Sequence, residues 1–271
     1  MIGLVYLVWG PLGPAPLRRF LDSYGSHVAG IEHELSIVLN GVEGAERATP
    51  GLREALSAEL AGVEHRLIQL GQPVLDLAAY GLVAHDLDHS RLCFLNSYSV
   101  VLADRWLAHL SGALDQADVG IAGASASWES QAEWIRGKAR FWPYQALGLR
   151  RARIDYPRFP NPHIRTTGFM LERDTLGALG LDQAHDKRAT YLLESGRHSI
   201  TSQILASGRR AVVVDRQGCL YDVDRWPASH TYRSGIQENL LIADRRTEDW
   251  QKASPRLRRR LSRDAWGEEI S

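Results

Sequence analysis

Through the first 125 residues, short apolar runs alternate with stretches of helical spacing, and few folds accept that order. Leu4 to Trp9 is a continuous apolar run stopped by Gly10-Pro11-Leu12-Gly13-Pro14, which predicts a buried strand. Pro16 suits a first helical position, and Leu17, Phe20, Leu21 and Tyr24 mark one helical face. The alternation continues with strands at Glu34 to Leu39, His65 to Leu70, Arg91 to Leu95 and Val119 to Gly123. Helices fall at Leu52 to Leu60, Val74 to Ala84 and Trp106 to Leu114. This order predicts an α/β, Rossmann-like fold: a mainly parallel sheet with helices on both faces. The second half is less regular. From about Trp128 to Pro162, Trp, Tyr, Arg and Pro crowd together without a period, as in a functional loop or lid. Strands at Gly168 to Arg173 and Arg210 to Asp215, with a helix at Ser199 to Ala206, complete the pattern. The stretch Arg256 to Arg263 predicts a basic terminal helix, with at most a peripheral contact to an anionic membrane surface.

Composition removes several classes. Lys plus Arg and Asp plus Glu each number 32, so the formal net charge is zero, which argues against nucleic acid as a partner. Two cysteines, Cys93 and Cys219, make no disulfide framework and fit a reducing compartment. The start, Met1 to Trp9, reads as a first strand and not as a leader, and no apolar run reaches the ~20 residues of a membrane helix. A soluble, cytoplasmic protein is the expectation. No Gly-x-Gly-x-x-Gly follows the first strand, no phosphate-loop lysine motif is present, and there is no Gly-x-Ser-x-Gly elbow. His85-Asp86-Leu87-Asp88-His89 has the spacing of a zinc-protease pair but Asp where that motif needs Glu. It also precedes the fourth strand, so its acids belong at the opposite end of the sheet from a ligand.

The segment with most chemistry is Arg91-Leu92-Cys93-Phe94-Leu95-Asn96-Ser97-Tyr98-Ser99. A buried strand stops abruptly in polar side chains, at the lip where open α/β sheets bind ligands. A second such place is Tyr191-Leu192-Leu193-Glu194-Ser195-Gly196. With Asn40-Gly41 closing the second strand and Trp106-Leu107 after the fourth, the order of these segments resembles the GT-A nucleotide-sugar glycosyltransferases, in particular those of the family 2 type. The resemblance spans about Leu4 to Trp250. It implies one GT-A-like domain over residues 1–250, with a nucleotide-binding half at 1–125, an acceptor half at 126–250, and a basic tail at 251–271.

The resemblance also implies roles. Trp9-Gly10-Pro11 would lie against the nucleoside, Asn40 would read the base, and Asp76 would sit under the nucleotide. Asn96, Ser97 and Tyr98 occupy the place of the family's aspartate-any-aspartate metal motif. That is a departure, because Mn or Mg wants anionic oxygen. Asn96 and a late histidine, His230, remain as candidate metal ligands; the alternative is a diphosphate neutralised by Arg, Lys or backbone N–H groups. Glu194 matches the place of the catalytic acid, although Ser195 stands where the family more often has Asp. A capping or salt-bridged glutamate is the plainer role. In Asn161 to Gly168, Arg165 would contact the diphosphate, while His163 and Thr167 would face the acceptor. An arginine paired with a core carboxylate is the other reading of Arg165. Trp142, within the cluster Trp128, Trp134, Phe141, Trp142 and Tyr144, is an acceptor-stacking candidate.

The expected activity is transfer of a sugar from a nucleoside-diphosphate donor to the hydroxyl of a glycan, lipid-linked or small-molecule acceptor, with inversion and with Glu194 as base. The alternative is a non-catalytic nucleotide-sugar or glycan-binding protein on the same scaffold.

Overall fold

The computed structural model describes residues 1–133 and 152–268. Trp134, Phe141, Trp142 and Tyr144 lie outside the described residues. Among the described residues twelve strands occur in chain order: β1 Ile2–Trp9, β2 His33–Asn40, β3 Arg66–Gln69, β4 Arg91–Leu95, β5 Val100–Val101, β6 Val119–Gly123, β7 Ala126–Ser127, β8 His163–Ile164, β9 Gly168–Glu172, β10 Arg210–Val214, β11 Leu220–Tyr221 and β12 Ile242–Ala243. Eight of them form one sheet in the order β3-β2-β1-β4-β9-β6-β10-β11, and two short ladders, β5 with β12 and β7 with β8, stand beside it.

β1, β2, β3 and β4 run parallel, as do β6 and β10. β9 runs antiparallel to both of its neighbours. Its first residue, Gly168, lies opposite Leu95, the last residue of β4. The chain just before β9 therefore stands at the carboxyl ends of the parallel strands, where the β4 turn also lies.

Alternation along β1 sorts the core into two layers. Leu4, Tyr6 and Val8 pack with Leu17, Phe20, Leu52, Leu56, Trp106 and Leu110 on one face. Val5 and Leu7 pack with Leu77, Tyr80, Val83, Ile204, Trp226 and Trp266 on the other. Helices thus cover both faces, and the mixed α/β, mainly parallel architecture is as expected. The helix Ala15–Ser26 buries Leu17 and Phe20, with Phe20 stacked 3.9 Å from the Tyr6 ring.

The helix Val42–Ala48 carries no apolar stripe, burying only Val42, so its sequence gives no periodic signal. Gly41 precedes it at φ 68°, a left-handed value that glycine adopts without strain. The basic segment near the C-terminus is the helix Pro255–Trp266, capped by Ser254. Its arginines lie on the outer side while Ala265 and Trp266 are buried, and the Trp266 indole N–H donates to the Tyr232 carbonyl at 2.8 Å. No helix among the described residues is long and apolar enough to cross a membrane.

Candidate functional site

The end of β1 is stapled to the β4 turn through Ser97. Its hydroxyl donates to the Leu7 carbonyl at 2.7 Å and accepts from the Trp9 N–H at 3.0 Å. The Tyr6 hydroxyl donates to the Ser97 carbonyl at 3.0 Å. These bonds fix where the chain leaves β1, so Trp9, Gly10 and Pro11 are held at the lip. Gly10 meets the next loop closely: a Cβ built on it would lie 2.7 Å from the Val42 Cα.

The turn itself is closed by its own side chains. Asn96 Oδ1 accepts from the Tyr98 N–H at 2.9 Å, and the Asn96 N–H donates to Ser99 Oγ at 3.0 Å. The Ser99 hydroxyl donates to the Thr167 carbonyl at 2.6 Å. One residue earlier, the Thr166 hydroxyl donates to Glu194 Oε1 at 3.3 Å. Asn96, Ser99, Thr167, Thr166 and Glu194 thus form one short chain of contacts. The polar tip of β4 and the glutamate near the end of the helix Lys187–Ser195 share a single place in the fold.

Asp76, in the first turn of the helix Asp76–Ala84, joins them. Its carboxyl is pushed up to about 6, first by burial and then by the charge of Glu194. His163 is buried, with Nδ1 2.9 Å from the Asn161 carbonyl, a contact that places the proton on Nδ1. Burial lowers its pKa despite the nearby Glu194 and Glu129, so it offers a neutral ring. Glu129, which the sequence did not single out, lies beside it and is paired with Arg233 at 2.5 Å. Burial alone would raise Glu129; Arg233, His163, Arg246 and Arg165 outweigh it and hold this carboxyl below the usual range.

Three expectations change role. Asn40 is buried and its amide is held by the Val74 backbone: Nδ2 donates to the Val74 carbonyl at 2.7 Å and Oδ1 accepts from the Val74 N–H at 3.1 Å. It anchors the approach to Asp76. Arg165 pairs with Asp244 at 2.5 Å, both side chains being buried, and its guanidinium lies 4.1 Å from the Tyr232 ring centre. The reading of Arg165 as an arginine paired with a core carboxylate is therefore the structural one; its charge is spent. His230 Nδ1 is 2.5 Å from Glu238, and no hydrogen bond among the described residues joins its side chain to the β4 turn.

Arg246 is the residue that sequence reasoning missed. It lies in the first turn of the helix Arg245–Lys252, whose N-cap Asp244 forms a reciprocal capping pair with Thr247. The Arg246 side chain is open to solvent, yet it stands within electrostatic reach of Tyr232, Arg165, Glu194 and Glu129. Its signal in the sequence is weak, a double arginine after a capping aspartate, and such pairs usually face solvent.

No protein-family model matches this sequence, and no curated protein matches it. Solved structures do. The chain is similar to nucleotide-sugar glycosyltransferases. One is the mannosyltransferase PcManGT from Pyrobaculum calidifontis, in complex with GDP-Man and Mn2+: identity is 13%, the TM-score 0.45, and the match covers 87% of this chain and 60% of that one. Another is glucosyl-3-phosphoglycerate synthase from Mycobacterium tuberculosis, in complex with Mn2+, UDP and phosphoglyceric acid: 14% identity, TM-score 0.39, covering 65% of this chain and 56% of that one. The chain spans less than two thirds of the length of either.

Proposed function

We propose that this protein is a GT-A-type glycosyltransferase that moves a sugar from a nucleoside-diphosphate donor to a hydroxyl acceptor, with inversion. The observation that carries the proposal is the contact chain from Asn96 through Thr167 and Thr166 to Glu194. It joins the polar turn after β4, which is stapled to the end of β1 at Trp9, to a carboxylate.

In this reading Glu194 is the base. The Thr166 hydroxyl orients its carboxylate. The acceptor hydroxyl oxygen forms the new bond to the sugar's anomeric carbon and passes its proton to Glu194. The bond from that carbon to the diphosphate breaks with its electron pair going to the diphosphate oxygen. Neutral His163 and the Thr167 region position the acceptor, a job of orientation that contributes by making attack effectively unimolecular. Residues 1–125 supply the donor side of the site and residues 126–250 the acceptor side.

Asp76 carries a prediction here. Its pKa in the fold, about 6, exceeds the ordinary 3.8. The folded state therefore keeps a proton that the unfolded chain releases, and stability falls as pH rises between those values. Asp76→Asn should raise thermal stability at pH 8 by on the order of 2–3 kcal/mol, with the gain gone near pH 3.5. Melts of the two proteins across pH check this; an equal offset at all pH values would contradict the assigned shift.

The neutral β4 turn favours one other reading, a protein that binds nucleotide-sugar or glycan without catalysis. A thermal-shift panel of UDP, GDP, dTDP and CMP, with and without Mn or Mg, tests the binding common to both. A ligand at a hundred times its Kd stabilises by ~2.7 kcal/mol, which moves the melt measurably. No response to any nucleotide would sink both readings.

A further inference from the structure

A leaving diphosphate needs positive charge at the place where its negative charge grows. A hard divalent cation would need anionic oxygens to hold it there. The β4 turn offers only an amide and hydroxyls. Asn96 Oδ1 already accepts the Tyr98 N–H, Ser97 Oγ is held by Leu7 and Trp9, and Ser99 Oγ donates to Thr167. The turn's own donor set does not fit Mn or Mg.

Charge arrives from a different element. β12 pairs with β5, Ala243 lying opposite Val100, one residue after the turn ends at Ser99. From Ala243 the chain passes Asp244 and enters its helix with two consecutive arginines. Arg245 reaches Asp249 at 3.9 Å. Arg165 is neutralised by Asp244 and Arg233 by Glu129. Arg246 makes no hydrogen bond or ion pair among the described residues, though it lies within electrostatic reach of Tyr232, Glu194 and Glu129. A cation in the first turn of a helix also opposes the helix dipole, which favours anions there. Tyr232, Glu194 and Glu129 favour the charged guanidinium where it stands, and no partner among the described residues neutralises it by direct contact.

Resting on the glycosyl-transfer reading above, we infer that Arg246 stands in for the metal: its guanidinium holds the donor diphosphate and stabilises the departing one without a divalent cation. The planar, always-protonated guanidinium suits bidentate contact with phosphate oxygens and takes no part in the proton transfer to Glu194. The diphosphate, not the base or the sugar, is the part of the donor it recognises.

The test is calorimetric titration of the intact protein with UDP, GDP and dTDP, and with the corresponding nucleosides, in excess EDTA and again with Mn. The expected result is that at least one diphosphate binds in EDTA with a Kd little changed by Mn. Arg246→Ala should then weaken the diphosphate by about 10- to 100-fold, the range for hydrogen bonds to charged groups. Arg246→Lys should retain part of the affinity, and neither variant should alter nucleoside binding. The variant's unchanged melting temperature without ligand shows that folding is intact. Binding that requires Mn and is abolished by EDTA overturns the inference while leaving glycosyl transfer standing. Equal diphosphate affinity in wild type and Arg246→Ala also overturns it. No binding of any diphosphate under either condition overturns both the inference and the reading beneath it.

Discussion

Glu194→Gln is expected to keep donor binding and lose transfer, with kcat falling by roughly 10²- to 10⁴-fold, the usual worth of a positioned general base. The substitution is nearly isosteric and leaves an Oε1 to accept from Thr166, so the site keeps its shape. What it removes is an oxygen able to take the acceptor's proton. A steady-state assay of nucleoside-diphosphate release, run beside a binding titration, separates the two quantities. Unchanged turnover would remove Glu194 from the mechanism and favour His163, whose ring is buried in the same cluster. Unchanged binding with no turnover in either protein would favour the non-catalytic alternative.

Arg165→Met is expected to have the largest effect on stability, a loss of about 3–5 kcal/mol, because it strands a buried carboxylate. Asp244 is buried, and burial alone would raise its pKa; Arg165 first, then the Thr247 bonds, hold it low instead. The double variant Arg165→Met/Asp244→Leu should recover part of that loss, since removing both charges often costs little. Recovery will be incomplete: Asp244 also accepts the Thr247 N–H at 2.9 Å, and losing that helix cap costs ~1 kcal/mol. Urea unfolding of the three proteins measures it. A single-variant loss below about 1 kcal/mol would mean the pair is solvated and does not anchor the 163–167 segment.

The parts of this molecule that the sequence disclosed are those set by local pattern. β4 ends where its apolar run ends, because the polar neighbours Ser90 and Asn96 bound it on both sides. The helix Ala15–Ser26 follows from the spacing of Leu17 and Phe20 with Pro16 near its start. The position of β9 was equally legible, but not its direction. Five residues with this burial pattern read the same either way, and the antiparallel course is set by where the intervening chain returns to the sheet. Glu194 and the β4 turn were both identifiable as polar stops. Their bridge was not, since it runs through Thr166 and Thr167, ordinary residues of a donor-rich turn.

Roles that depend on distant partners were the least legible. Arg165 could meet a diphosphate or a core carboxylate, and the choice rested on Asp244, 79 residues away in sequence. Asn40 closes its strand in the expected place, but its amide is taken by Val74, 34 residues on. Arg246 reads as a surface residue of a polar helix. The β5–β12 ladder sets Ala243, three residues before it, opposite Val100, one residue past the β4 turn.

The central claim is that the end of β1, the Asn96–Ser99 turn, residues 163–167 and the first turn of the helix Arg245–Lys252 line one site for donor and acceptor. Amide hydrogen exchange, with and without a saturating nucleoside diphosphate chosen by melting shift, reads all four segments at once. The account predicts simultaneous slowing at these segments, with the far strand ends at Ile2, Arg91 and Arg210 unchanged. Protection confined to those far ends, or to the outer face of the helix Pro255–Trp266, would contradict it.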